Sequence, residues 1–87
     1  MPYIVIMRFV RDESTVREWR RMIRVCYSPS ARCYESVGGK GITVCKRWRD
    51  SFDNFQEDMG LSRGRKLLRR DARQDFDVTN SYWSVVT

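Results

Sequence analysis

The sequence predicts an α+β fold in which two helices pack on a small antiparallel sheet. Three observations carry that reading. Val16, Trp19, Met22 or Ile23, and Cys26 recur at helical spacing. Phe52, Phe55 and Met59 repeat the pattern at i, i+3 and i+7. Residues 3–10 and 81–87 are rich in β-branched and aromatic side chains, the composition of strands.

In chain order, residues 3–10 predict a strand with Tyr3, Val5, Met7 and Phe9 on one face. Its opposite face, Ile4, Ile6 and Val10, is apolar too, which calls for cover on both sides. Thr15 with Glu18 has the form of a capping box, so a helix is expected over about 15–27. Pro29 ends it. The segment from Val37 to Cys45 holds three glycines, which permit positive φ or close backbone approach. It lacks the spacing of a phosphate-cradling loop. Ile42 to Cys45 reads as a short strand-like piece. Asp50-Ser51 caps a second helix over about 51–59, and Gly60 suits its end. The remaining strands are expected at about 66–71 and 81–87. No repeat or linker divides the chain, so residues 1–87 predict a single domain.

Lys and Arg outnumber Asp and Glu by 17 to 11, a formal charge of +6. All but Lys40, Lys46 and Lys66 of these cations are Arg, whose planar fork of donors suits phosphates and carboxylates. Histidine is absent, which removes the commonest general base at neutral pH and the commonest metal ligand. Three cysteines at Cys26-x6-Cys33-x11-Cys45 form neither an even disulfide framework nor a tight zinc-binding pair. Reduced, buried, inert thiols are expected, with no metal and no cofactor. The opening run has no basic region or cleavage site of a signal peptide, and no apolar stretch approaches the roughly 20 residues of a membrane span. A cytoplasmic location without a membrane partner is the expectation.

The middle of the chain carries a more specific pattern. Trp19-Arg20-Arg21-Met22-Ile23-Arg24-Val25-Cys26-Tyr27-Ser28-Pro29 is followed by Tyr34, then Val37-Gly38-Gly39-Lys40-Gly41-Ile42-Thr43-Val44-Cys45-Lys46-Arg47-Trp48. Ser51-Phe52-Asp53-Asn54-Phe55 and Asp58-Met59-Gly60 complete it. Over residues 19–60 this resembles the small phage HNH endonuclease-like family, some of whose members are fused to AP2-type DNA-binding domains. The resemblance implies a ββα unit that binds one divalent metal, with a His activating water. On that frame Leu68 stands at the first metal-binding Asp and Arg69 at the base His, while Asp71, Asn80 and Trp83 match and Tyr82 departs. The family's final helix would begin near Thr87, which implies a degenerate, truncated member. The strand at 3–10 lies outside the family pattern and is expected to replace lost packing by pairing with residues 81–87.

Leucine cannot ligate a metal, and Arg stays protonated and is no base. The resemblance therefore implies a non-enzymatic phage protein that acts by binding, in its most concrete form an inhibitor of a host defence nuclease or ribonucleoprotein complex such as a CRISPR effector. A general DNA- or RNA-binding module is the alternative. A live metal-dependent nuclease using Asp71, Asp75 or Asp77 is the further one. The expected contact surface is Arg63, Arg65, Lys66, Arg69, Arg70 and Arg73, extended by Arg17, Arg21, Arg24, Lys40, Lys46 and Arg47.

Overall fold

The computed structural model describes residues 12–85. The strand expected over 3–10, its pairing with the C-terminal strand, and residues 86 and 87 lie outside the described residues. Within them the chain forms helix α1 (Glu13–Tyr27), two short 3-10 turns (Tyr34–Ser36 and Gly38–Lys40), helices α2 (Lys46–Asp50) and α3 (Phe52–Met59), and strands β1 (Leu67–Arg69) and β2 (Ser81–Trp83). The fold is α+β. β1 and β2 pair antiparallel, with Leu67 opposite Trp83, Leu68 opposite Tyr82 and Arg69 opposite Ser81. β1 is shorter than expected because the chain after Arg69 leaves the ladder to make a braced loop, and β2 begins at Ser81 as expected but its ladder ends at Trp83. Val44 forms a single parallel bridge to Phe76 rather than a strand of its own.

α1 begins two residues earlier than the capping-box reading places it. Asp12 is the N-cap, and its Oδ2 accepts from the Thr15 amide at 3.1 Å and from the Ser14 and Thr15 hydroxyls at 2.6 Å each. Thr15 and Glu18 are thereby released for other work. Thr15 Oγ1 accepts from the Ser62 amide at 2.8 Å. Glu18 is buried, and its Oε1 accepts from the Leu67 amide at 3.0 Å and from Arg21 at 3.0 Å. A carboxylate thus takes up the backbone donor of β1 that faces the helix.

The hydroxyls of Ser14 and then Thr15 hold the Asp12 carboxyl below its ordinary value of 3.8. A depressed carboxylate pKa contributes stability above the ordinary value, and that stability is lost as pH falls through the folded value. Asp12→Ala is therefore expected to cost about 1 kcal/mol near neutral pH, the usual worth of an N-cap. The melting-temperature gap between the two proteins should narrow as pH drops below 3.8. A gap unchanged in acid would show that the ionised cap contributes nothing.

The core is aromatic. Trp48 and Phe55 are fully buried, and their rings meet edge-on at 5.0 Å. Phe55 also meets Trp83 edge-on at 5.9 Å, and Trp19 meets Phe52 at 5.7 Å. Each indole N–H finds an acceptor: Trp19 the Trp48 carbonyl, Trp48 the Asp58 carboxylate, Trp83 the Met59 carbonyl. Full burial of Trp48 and partial burial of Trp19 and Trp83 are compatible with satisfied polar groups because the carbonyls and Asp58 sit at the helix ends where they can accept.

Two glycines of the Val37–Cys45 segment serve different ends. A Cβ on Gly38 would stand 2.1 Å from the Cys26 carbonyl oxygen, so the turn packs backbone-to-backbone against the last turn of α1. Gly41 takes φ of 87° and reverses the chain after Lys40. On the sheet, the buried Ser81 hydroxyl has no hydrogen-bond partner among the described residues. Leaving a buried polar group unpaired costs about 1–3 kcal/mol. Ser81→Ala is expected to raise stability by about 1 kcal/mol, read as a higher denaturation midpoint. A lower midpoint would mean that the hydroxyl is satisfied.

Candidate nucleic-acid interface

The β1–loop–β2 unit carries the positions that the HNH resemblance singles out, with Leu68 and Arg69 on β1, Asp71 and Asn80 in the loop and Trp83 on β2. Asn80 braces the loop from one end. Its Oδ1 accepts from the Asp71 amide at 2.9 Å, and its Nδ2 donates to the carbonyls of Asp71 and Asp75 at 3.0 and 2.9 Å. Arg69 braces it from the other. Its guanidinium donates to the carbonyls of Ala72 and Gln74 at 2.7 and 3.0 Å and lies 4.8 Å over the Phe76 ring. Leu68 is exposed, and both residues border a cleft of about 180 Å3 whose walls include Val25, Val37 and Phe76. At the two positions where the frame places a metal ligand and a base, the side chains present a hydrocarbon surface and a loop clamp.

The three aspartates that a nuclease would use each accept hydrogen bonds within the fold. Asp71 pairs with Arg73, which lowers its carboxyl below the ordinary range. Asp75 Oδ1 accepts from the Thr43 amide at 2.8 Å. Asp77 Oδ1 accepts from the Thr79 hydroxyl and the Asn80 amide at 2.8 Å each. Among the described residues no three Cys, Asp or Glu side chains converge to hold a metal. The thiols differ from the uniform burial expected of them. Cys26 is buried and its pKa is pushed up to about 11 by desolvation. Cys45 is half-buried and shifted in the same direction by the same cause. Cys33 is exposed, because it precedes the 3-10 turn at the rim of the fold.

The basic residues divide sharply once side-chain partners are known. Of the Arg-rich segment, Arg65 donates to the carbonyls of Ser62 and Leu61, Arg69 clamps the loop, and Arg73 is held by Asp71. Arg63, Lys66 and Arg70 are exposed. Lys66 lies 3.8 Å from Glu18, and the Arg70 guanidinium lies 5.0 Å over the Tyr82 ring. Near the glycine turn, Lys40 is exposed without a carboxylate partner among the described residues. Lys46 pairs with Asp50. Arg47 makes a bidentate pair with Asp58 and a further one with Glu57, and the Asp58 contact raises its pKa. Arg21 turns inward to Glu18 and the Leu67 carbonyl.

What stays uncommitted is the outer face of α1. Arg17, Arg20 and Arg24 are all exposed, and among the described residues none has a carboxylate within ion-pair distance. At 3.6 residues per turn the three fall within about 60° of one another and span about 10 Å of helix. With Glu13 and Val16 they line a groove of about 220 Å3. The basic set expected from the sequence contains Arg17 and Arg24 but has Arg21 where the structure has Arg20. The helical wheel could have separated them: Arg21 leans toward Glu18 and Val25 on the buried face, Arg20 away from it.

Among the described residues no helix is long and apolar enough to cross a membrane. The class defined by fold and surface is a small α+β protein with an arginine row on its longest helix. Comparison with models of known protein families, with curated proteins and with solved structures finds no match to this chain.

Proposed function

We propose that this chain is a non-catalytic nucleic-acid-binding protein, built on a scaffold related to HNH-type nucleases. The observation that carries the reading is the row Arg17, Arg20 and Arg24, three cations on one rigid helix face, none of them in an ion pair among the described residues, with Glu13 the one acidic residue lining their groove. Cations that are not spent on the fold are the ones free to release counterions from a phosphate backbone. The loop supports the non-catalytic half of the proposal. Arg69 and Leu68 offer neither a base nor a ligand, Asp71 and Asp77 are engaged in turn contacts, and Asp75 accepts from the distant Thr43 amide. In an infected host, the same row would serve an inhibitor of a defence nuclease complex by occupying its nucleic-acid path.

The test is fluorescence anisotropy of a short labelled duplex against salt. Log affinity is expected to fall linearly with log salt between about 50 and 200 mM, with a slope near −0.9 per phosphate neutralised. A flat profile with tight capture of one nuclease complex would make protein the partner and overturn the proposal. The same protein incubated with plasmid and Mg2+ or Mn2+ should leave it intact. Cleavage abolished by Asp71→Ala would establish an active nuclease instead.

A further inference from the structure

A cleft of about 360 Å3 opens between the glycine turn and the braced loop, lined by Ser36, Lys40, Ile42, Ala72 and Arg73. Its size lies at the small end of the roughly 300–1,000 Å3 typical of ligand sites. Two of its five lining residues are cationic and none is acidic. Lys40 reaches it from the turn that Gly41 closes with φ of 87°. Arg73 is fixed from behind. Asp71 accepts its Nε at 3.2 Å, one terminal nitrogen at 3.4 Å and its backbone amide at 2.9 Å. That leaves the other terminal nitrogen with both its protons unpaired among the described residues, on a side chain that is 88% exposed to solvent. Ile42, buried, and Ala72, exposed at the loop edge, supply the apolar part of the lining. The Ser36 hydroxyl donates to the Cys33 carbonyl at 3.1 Å, so its oxygen can still accept.

We propose that this cleft binds a nucleoside phosphate, with the phosphate between Lys40 and Arg73 and the nucleoside against Ile42 and Ala72. A bare inorganic anion would leave the apolar wall uncovered, and a purely apolar ligand would leave two cations facing it. A ligand with an anionic end and a flat, partly apolar body satisfies both walls. The proposal rests on the nucleic-acid reading and deepens it, since the phosphate can belong to a free mononucleotide or to the 5′ end of a strand.

The experiment is a titration of the full chain followed by 1H–15N correlation spectra. The probes are AMP, adenosine, and a short single strand with and without a 5′-phosphate. AMP is expected to shift the backbone signals of Lys40–Ile42 and Ala72–Arg73, and adenosine to bind at least about ten-fold more weakly, the worth of a charge-assisted contact. Lys40→Gln should weaken AMP by a similar factor, whereas Arg17→Gln/Arg20→Gln/Arg24→Gln should leave AMP binding unchanged. A phosphorylated strand that outbinds both AMP and its unphosphorylated twin assigns the site to strand ends. AMP equal to or tighter than the phosphorylated strand assigns it to free nucleotides. Absence of shifts at these residues, equal binding of adenosine, or indifference to Lys40→Gln overturns the proposal. Failure of the α1 reading is seen separately, as duplex affinity insensitive to the three arginines while the cleft signals still move.

Discussion

Replacing Arg17, Arg20 and Arg24 together by Gln is expected to lower duplex affinity by about 10²-fold at about 0.15 M salt. The magnitude follows from counterion release. Three phosphate contacts contribute about 2.7 to the slope of log affinity against log salt, and from about 1 M down to about 0.15 M that slope amounts to roughly two decades. Gln is a good helix former, so the far-ultraviolet circular dichroism should be unchanged. Arg47→Gln makes the control. Its guanidinium is already bound by Asp58 and Glu57, so its loss should change affinity by no more than about two-fold and leave the slope within about one unit. A triple variant that binds like the parent, or an Arg47 variant that loses as much, would move the interface away from α1.

Phe55→Ala is expected to cost about 3–5 kcal/mol. Phe55 is fully buried, and its ring touches Trp48, Phe52 and Trp83, so truncation opens a cavity that three rigid aromatic rings cannot close by small shifts. A domain of this length has roughly 4–13 kcal/mol in all, so much or all of the stability goes with one side chain. Thermal melts should show a fall of at least about 12 °C or no cooperative transition. Phe55→Leu, which keeps most of the volume, should recover more than half of the loss. A melting temperature close to that of the parent would mean that the aromatic cluster is not the centre of the core.

The elements that sequence made legible are those with a long periodic signal or sharp punctuation. The Val16/Trp19/Met22 and Phe52/Phe55/Met59 stripes mark α1 and α3 within a residue or two, and Ser51 and Gly60 mark the ends of α3. α2 was not legible, because five residues around a single buried Trp48 give no repeat to count. Glu18 was misread for a related reason. A buried carboxylate is rare, and its partner at Leu67 lies 49 positions away, so the local capping pattern was the only visible explanation. The basic surface was legible as composition but not as availability. Whether an arginine faces solvent or clamps a loop depends on contacts such as Arg47 with Asp58 or Arg69 with Ala72 and Gln74, which no spacing rule reveals.

Glu18 also settles something about the helix that carries the arginine row. An amphipathic helix on an apolar bed can roll, since one hydrocarbon contact substitutes for another. Here a roll by one residue would swing Trp19 or Arg17 into the place of Glu18 and leave the Leu67 amide buried without an acceptor. The Thr15 contact to Ser62, one turn earlier, would break with it. The two bonds act as an index pin: they fix the rotational setting of α1 about its own axis. The direction in which Arg17, Arg20 and Arg24 point is therefore decided on the opposite side of the helix.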